Sequence, residues 1–466
     1  MKKIDKDKKN HLKVIHILSR LVWVFLIGSL IAFFYTVYQS EYLNQGLNRN
    51  IYNKYYLFFF SSTLFWICAF FFSKEIRSNL VLIFSSLFLS LYILEGMLIY
   101  YGHGQPVLET TIKTASNLGI DFDTRTKIEL ISDYKSKGKT LVPSIGPSIL
   151  VSQDNNYLNQ NNSLFSLGGI SNTITVMGNE SGEYAIYKSD RFGFNNPDSA
   201  WDSQSIDWLL IGDSFVQGAM VNSGEDLGSR IRDLTQENLI SLGNSGNSTL
   251  TEFALLREYG KFLKPKKTFL VYFEGNDLMG LSKEREVHIL KRYFEDDDFS
   301  QNLIKRQEEI DLILQRIISK NLAITKRKSS KLLNSTGRLR LRSLRNVINL
   351  DVKKRIPLEP DPLFFEILEK SNSLVQSWGG KLYFVYLPDY HRYSKSDIDH
   401  DLFLKKNYLL NEVKNLGISY IDIHSEVFNQ RKDPLSYFPL KLYGHYTEEG
   451  YLEVAKSLVN LVNNIE

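Results

Sequence analysis

Apolar positions divide the chain into two regimes. Near the N-terminus, Leu21 to Tyr38, Tyr55 to Phe72 and Leu80 to about Tyr101 are runs dominated by Leu, Ile, Phe, Val and Tyr. Each approaches the ~20 residues that cross a ~30 Å hydrocarbon layer as a helix. After Ser205 the apolar runs shorten to Ile206–Ile211, Asn238–Leu242, Thr268–Phe273, Lys381–Leu387 and Ile418–Ile423, with helical patterns between them. Such alternation predicts an α/β fold with a five-stranded parallel sheet flanked by helices.

Gly102 to about Ser205 is mixed, with a predicted helix at Thr124–Lys137 and a polar loop around Asp154–Asn162. The organisation expected is a membrane anchor with three transmembrane helices over 1–102, a linker and accessory subdomain over 103–205, and an α/β domain over 206–466. That domain is interrupted by a helical insertion at about 282–359, with helical periodicity at Gln307–Ile318.

Charge adds an orientation. Lys2, Lys3, Lys6, Lys8, Lys9 and Lys13 precede the first run, and Lys74 and Arg77 stand between the second and third. The positive-inside rule then puts the N-terminus in the cytoplasm and everything after the third run on the extracytoplasmic, or periplasmic, side of the cytoplasmic (inner) membrane. A cleaved signal peptide is the rival for the first run, but no small-residue cleavage pattern follows it. Glu95 falls in the outer part of the third run, where a carboxylate must reach the interface, pair or be protonated. In the insertion, Lys326, Arg327, Lys328, Lys331, Arg338, Arg340, Arg342 and Arg345 have few acidic neighbours. They read as a solvated helix face or as a surface for anionic headgroups or an anionic polymer.

Composition removes several function classes. A net charge of +4 over 466 residues with 13% aromatics argues against a nucleic-acid binder. The single cysteine, Cys68, excludes an internal disulfide framework. No His/carboxylate cluster has metal-ligand spacing and no phosphate-binding glycine loop opens a helix, so neither metal nor cofactor is expected.

In open α/β sheets ligands bind beyond the carboxyl ends of the strands, and polar groups collect there. The first strand candidate ends in Gly212-Asp213-Ser214-Phe215, which sets a serine hydroxyl at a strand-to-helix turn. The second leads to Gly243-Asn244-Ser245-Gly246-Asn247-Ser248, where glycine lets backbone approach a ligand. The third ends in Glu274-Gly275-Asn276-Asp277, offering an amide donor. Tyr443-Gly444-His445-Tyr446-Thr447 precedes an amphipathic C-terminal helix that Thr447 can cap. Taken singly, each has an ordinary alternative as a turn, loop or cap.

Serine, glycine, asparagine and histidine in this order resemble the four blocks of the SGNH, or GDSL-like, hydrolase superfamily, over about Ile206 to the C-terminus. The resemblance implies a flavodoxin-like three-layer α/β/α sandwich acting on ester bonds without a cofactor. It implies Ser214 as nucleophile, His445 as general base, and an oxyanion hole of the Ser214 N–H, Gly246 and Asn276. Upstream, Ser189-Asp190-Arg191-Phe192-Gly193-Phe194-Asn195-Asn196 looks like the Asp-x-x-Gly-Phe-Arg-Asn segment of membrane-linked members.

One departure stands out. The family usually carries an aspartate three residues before the histidine, and here that position is Leu442. Either the site is a slower dyad, or His445 is oriented by a backbone carbonyl or by a carboxylate from another loop such as Asp389 or Asp422, both at or just after strand candidates. The chemistry expected is a membrane-anchored serine esterase forming an acyl-enzyme on Ser214, with O-acetyl groups of an envelope or exported glycan as substrate. The alternatives are an O-acyltransferase using the same site, or a non-catalytic glycan- or partner-binding protein, the reading that Leu442 favours. Expected partners are an acylated glycan or other ester, the lipid bilayer and a multi-span membrane acyltransferase, with no nucleic acid.

Overall fold

A computed structural model describes residues 2–43, 49–100, 106–152, 164–330, 341–347, 360–394 and 400–465. The chain forms two compact units, one of residues 1–110 with 330–357 and the other of 111–329 with 358–466.

In the first unit the helices Val22–Val37, Arg49–Ala69 and Lys74–Tyr100 pack through Val22, Leu26, Trp66, Ala69 and Val81. Outward-facing residues such as Val24, Ile31, Phe34, Ile83 and Leu89 remain more than half exposed. Two helical stretches, Asn10–Tyr42 and Lys74–Tyr100, are long and apolar enough to cross a membrane. The helix holding the expected middle span opens with Arg49, Asn50, Asn53 and Lys54 and stops at Ala69. Glu95 is 2% exposed and accepts the backbone N–H groups of Ser343 (2.9 Å) and Leu344 (2.8 Å) at the start of the short helix Arg342–Val347. A buried carboxylate is tolerated where such donors satisfy it. Lys331, Arg338 and Arg340 of the basic stretch, and the polar loop at Asp154–Asn162, lie outside the described residues.

Among its described residues the second unit carries eight strands in chain order: β1 (Val142–Pro143), β2 (Ile174–Val176), β3 (Ile186–Lys188), β4 (Trp208–Gly212), β5 (Leu239–Gly243), β6 (Lys267–Phe273), β7 (Lys381–Leu387) and β8 (Ser419–Asp422). β4 to β8 form an all-parallel sheet of order β5-β4-β6-β7-β8. This is the flavodoxin-like doubly wound order, which reverses direction at β4 and β6.

Successive side chains of a strand face opposite sides, and the buried residues sort accordingly. Leu209, Ile211, Ile240, Leu242, Leu270 and Phe384 face one core, together with the helices Thr249–Leu255, Pro362–Ser377 and His400–Asn415. Trp208, Leu210, Phe269, Val271, Tyr383 and Val385 face the other, with the helices Leu227–Thr235 and Glu448–Ile465. Both faces are covered, so the strands read as near-continuous apolar runs.

The accessory region belongs to this unit. Its predicted helix runs from Lys127 to Ser136, and Thr126 and Glu129 form a reciprocal capping box. β1 to β3 make a small mixed sheet. The first half of the insertion is also integral, since Leu290, Tyr293, Leu303, Ile310 and Leu314 are fully buried in the main core.

The Asp190 segment buttresses the sheet end. Asp190 Oδ1 accepts the Phe192 and Phe194 N–H groups, and Oδ2 accepts Asn196 Nδ2 and Trp201 Nε1, all within 2.7–2.9 Å. Asn196 in turn clamps the backbone of Ser241 in β5 through both N–H and C=O. Gly193 sits at φ +82°, and a Cβ there would stand 2.1 Å from the Gly169 carbonyl oxygen, so no other residue fits.

Candidate active site

Ser214, Gly246 and Asn276 follow the ends of β4, β5 and β6, and His445 precedes the C-terminal helix. β4 stops at Gly212, and Asp213 caps the one-turn helix Ser214–Gln217, its Oδ1 accepting the Phe215 N–H at 2.9 Å. That turn holds Ser214 at the rim of the sheet. His445 stands in the loop before the C-terminal helix, whose first turn Thr447 closes by accepting the Gly450 N–H. Its ring packs on Phe215, with centroids 5.0 Å apart. His445 Nε2 lies 3.0 Å from Ser214 Oγ.

The group that holds the other side of His445 is Glu180, from the loop between β2 and β3. Its Oε1 lies 3.0 Å from Nδ1, and its Oε2 accepts the His445 backbone N–H at 2.7 Å. Gly444 makes this approach possible, because a Cβ there would stand 2.5 Å from Oε2. The Glu180 loop is itself shaped by Asn179, whose side chain accepts the Gly182 N–H (2.8 Å) and donates to the Asp123 and Gly182 carbonyls (3.0 Å each).

Asp389 and Asp422 do not take this position. Asp389 caps the turn Tyr390–Arg392 and pairs with His391, its Oδ1 2.6 Å from Nδ1. Asp422 caps the helix Ile423–Glu426 and is ion-paired to Lys406. Both carboxylates lie at strand ends, as expected, but each is satisfied by local cap chemistry and a neighbouring cation or imidazole.

On the opposite side of Ser214, Asn276 Nδ2 donates to Asp213 Oδ2 at 3.1 Å, and Ser214 Oγ is 3.3 Å from the same oxygen. An amide carries two N–H donors, so one remains beyond the bond to Asp213. Gly246 adopts φ +78° against Ser148, where a Cβ would approach to 2.7 Å. Gln217, three residues past Ser214 and buried, accepts the Ser245 N–H and hydroxyl through Oε1 (3.0 and 2.6 Å) and donates through Nε2 to Ser144, Tyr187 and Asn244. It ties the glycine loop to the nucleophile turn and to the small sheet.

Electrostatics separate the carboxyls by role. Burial pushes Asp213 upward against hydrogen bonds from Phe215 and Asn276. Burial and the charges of neighbouring carboxyls push Glu252 and Asp277 well above the carboxylate range, and burial raises Glu284 to about 7. Burial of the His445 ring opposes its protonation, but the hydrogen bond and charge of Glu180, with the charge of Asp213, outweigh it and leave the imidazole above its ordinary value. Among the described residues no cluster of His, Cys, Asp or Glu is arranged to hold a metal ion.

No protein-family pattern and no curated protein matches this chain. Among solved structures it is similar to a member of the lipolytic protein G-D-S-L family from Veillonella parvula (11% identity, 55% of this chain and 98% of that one, TM-score 0.31). It is also similar to the acetyl xylan esterase AlAXEase (12% identity, 55% and 100%, TM-score 0.30). A third is a catalytic mutant of an acetylxylan esterase from Geobacillus stearothermophilus (11% identity, 55% and 93%, TM-score 0.31). The second unit is an α/β domain with a five-stranded parallel sheet of doubly wound order, in which His445 lies between Ser214 and a glutamate from the loop between β2 and β3.

Proposed function

We propose that this protein is a membrane-anchored serine esterase in which Ser214 is the nucleophile, His445 the base and Glu180 the orienting carboxylate. The observation that carries the proposal is the continuous chain from Glu180 through His445 to Ser214, with 3.0 Å at each link. His445 takes the Ser214 proton as the hydroxyl attacks an ester carbonyl, and the tetrahedral oxyanion is received by the Ser214 and Gly246 N–H groups and the Asn276 amide. Collapse expels the alcohol, which leaves with the proton from His445. Water, activated by the same imidazole, then releases the acid.

Glu180 keeps the Nδ1 proton in place and stabilises the imidazolium formed during attack. The non-catalytic reading rested on Leu442, and a carboxylate supplied from the β2–β3 loop removes its basis. The two long apolar stretches support attachment to a membrane, with the lysines before Leu21 supporting a cytoplasmic N-terminus and an extracytoplasmic second unit. An O-acetylated glycan of the envelope, or one in export, is the substrate class that best suits such a placement.

Acetate release from an activated acetyl ester by the full-length protein in detergent, compared with Ser214→Ala, tests the proposal. Loss of release in the variant with an unchanged fold supports it; equal release refutes Ser214 as nucleophile.

A further inference from the structure

The glycine loop after β5 is a tight turn whose direction is set from another part of the chain. The Asn247 N–H donates to the Asn244 carbonyl at 3.1 Å and closes a four-residue turn over Asn244–Asn247. Gly246 has φ +78° and Ser245 is outside the left-handed region. The turn is therefore type II, with glycine at the position that needs a positive φ. Type II differs from type I by a half-rotation of the central peptide, here Ser245–Gly246, and glycine can occupy the third position of either. The turn alone leaves the Gly246 N–H two opposite directions.

Side chains anchor the rest of the turn. Asn244 Nδ2 donates to the Leu167 carbonyl at 3.0 Å, and Asn247 Nδ2 donates at 3.1 Å to the carbonyl of Gly212, two positions before Ser214. Gln217 accepts the Ser245 N–H and hydroxyl. The central peptide is held by Ser148 of the short helix Pro147–Ser152, whose hydroxyl donates to the Ser245 carbonyl at 2.8 Å from 97 residues away. A peptide is planar and trans, so the Ser245 C=O and the Gly246 N–H point in opposite directions, and whatever fixes the first aims the second. Gly246 is exposed, and its N–H has no hydrogen-bond partner among the described residues. A hydrogen bond into the carbonyl also polarises the peptide and strengthens its N–H as a donor.

We propose that Ser148 is a positioning residue of the oxyanion hole: its hydroxyl locks the Ser245–Gly246 peptide in the orientation that presents the Gly246 N–H to the reacting carbonyl oxygen. The proposal rests on the reading of Ser214 as nucleophile and of Gly246 as an oxyanion donor. The chain before β4 then serves both ends of the reaction, with Glu180 on the base and Ser148 behind the oxyanion.

The test compares full-length wild type, Ser148→Ala and Ser148→Thr in detergent by kcat and KM on 4-nitrophenyl acetate, by the pH midpoint of kcat/KM, by thermal unfolding and by fluorophosphonate labelling. Loss of a whole oxyanion donor costs about 10²- to 10³-fold in kcat, and a donor left free to turn away should cost at least about tenfold. Ser148→Ala is expected to lower kcat by that factor while KM changes by less than about twofold. Its pH midpoint should stay at the wild-type value, because the contact between Glu180 and His445 is untouched. Ser148→Thr, which keeps the hydroxyl, regains most of kcat. A kcat in Ser148→Ala within about twofold of wild type overturns the role, as does an equal loss in Ser148→Thr or a loss that tracks a lowered Tm, while labelling of the wild type shows the nucleophile intact. Absence of labelling in the wild type overturns the esterase reading and this role together.

Discussion

Glu180 grips His445 at two points, with Oε1 3.0 Å from ring Nδ1 and Oε2 2.7 Å from the backbone N–H, across 265 residues of chain. The second bond sets the loop and the first sets the ring, so one carboxylate fixes both where the imidazole is and which nitrogen faces Ser214. An aspartate three residues before the histidine would have to reach it from within the same loop. Here Leu442 occupies that position, and the anchoring passes to a different part of the unit.

Replacing Glu180 by Gln keeps the shape and one acceptor but removes the charge that stabilises imidazolium. Acylation should slow by about 10²- to 10⁴-fold, with Tm close to that of the wild type, as read by kcat/KM on an activated ester and by thermal unfolding.

The pH dependence follows from the same contact. His445 must be neutral to accept the Ser214 proton, and its folded-state pKa is raised by Glu180 and Asp213 despite burial. Activity should therefore rise with pH through a midpoint above the ordinary histidine value of about 6.5. In Glu180→Gln, with the larger raising cause removed, burial dominates and the midpoint should move down. The kcat/KM profiles of the two proteins check the direction of this displacement.

Gly444→Ala should imitate the loss of Glu180 without touching an ionisable group. The new methyl would meet Oε2 at 2.5 Å and force the carboxylate off the His445 N–H. The expected result is a fall in kcat/KM of about tenfold or more, corresponding to ~1.4 kcal/mol or more of transition-state stabilisation. Combination with Glu180→Gln should add little, because both changes act on one contact.

Much of this architecture was legible in the chain. The five apolar runs after Ser205 are the five strands, since a parallel sheet covered on both faces needs residues such as Trp208 to Ile211 to be apolar without alternation. The turn at Asp213-Ser214 and the histidine before the last helix were legible because strand ends and helix starts have local chemistry. Glu180 was not, because its partner is 265 residues away and its loop lies in a region of weak periodicity, where only Asn179 and Gly182 mark a turn. Asp389 and Asp422 drew attention for the right reason, their place at strand ends. Their own caps, on Tyr390–Arg392 and Ile423–Glu426, were the local signal that they were already engaged.

Asp190 should be a stability residue. Its carboxylate faces four donors in a buried setting. Asp190→Ala leaves all four without that partner and releases Asn196 from one side of its clamp on β5. A loss of roughly 3–5 kcal/mol is expected, seen as a lower denaturant midpoint, with activity per folded molecule reduced less than in Glu180→Gln.

The measurement that tests the central claim most directly is the rate of fluorophosphonate labelling of the full-length protein in detergent, compared among wild type, Ser214→Ala and Glu180→Gln. The account predicts labelling of the wild type, none in Ser214→Ala, and labelling slowed by about 10²-fold or more in Glu180→Gln while all three remain folded. Labelling that persists in Ser214→Ala, or that proceeds at the wild-type rate in Glu180→Gln, would contradict it.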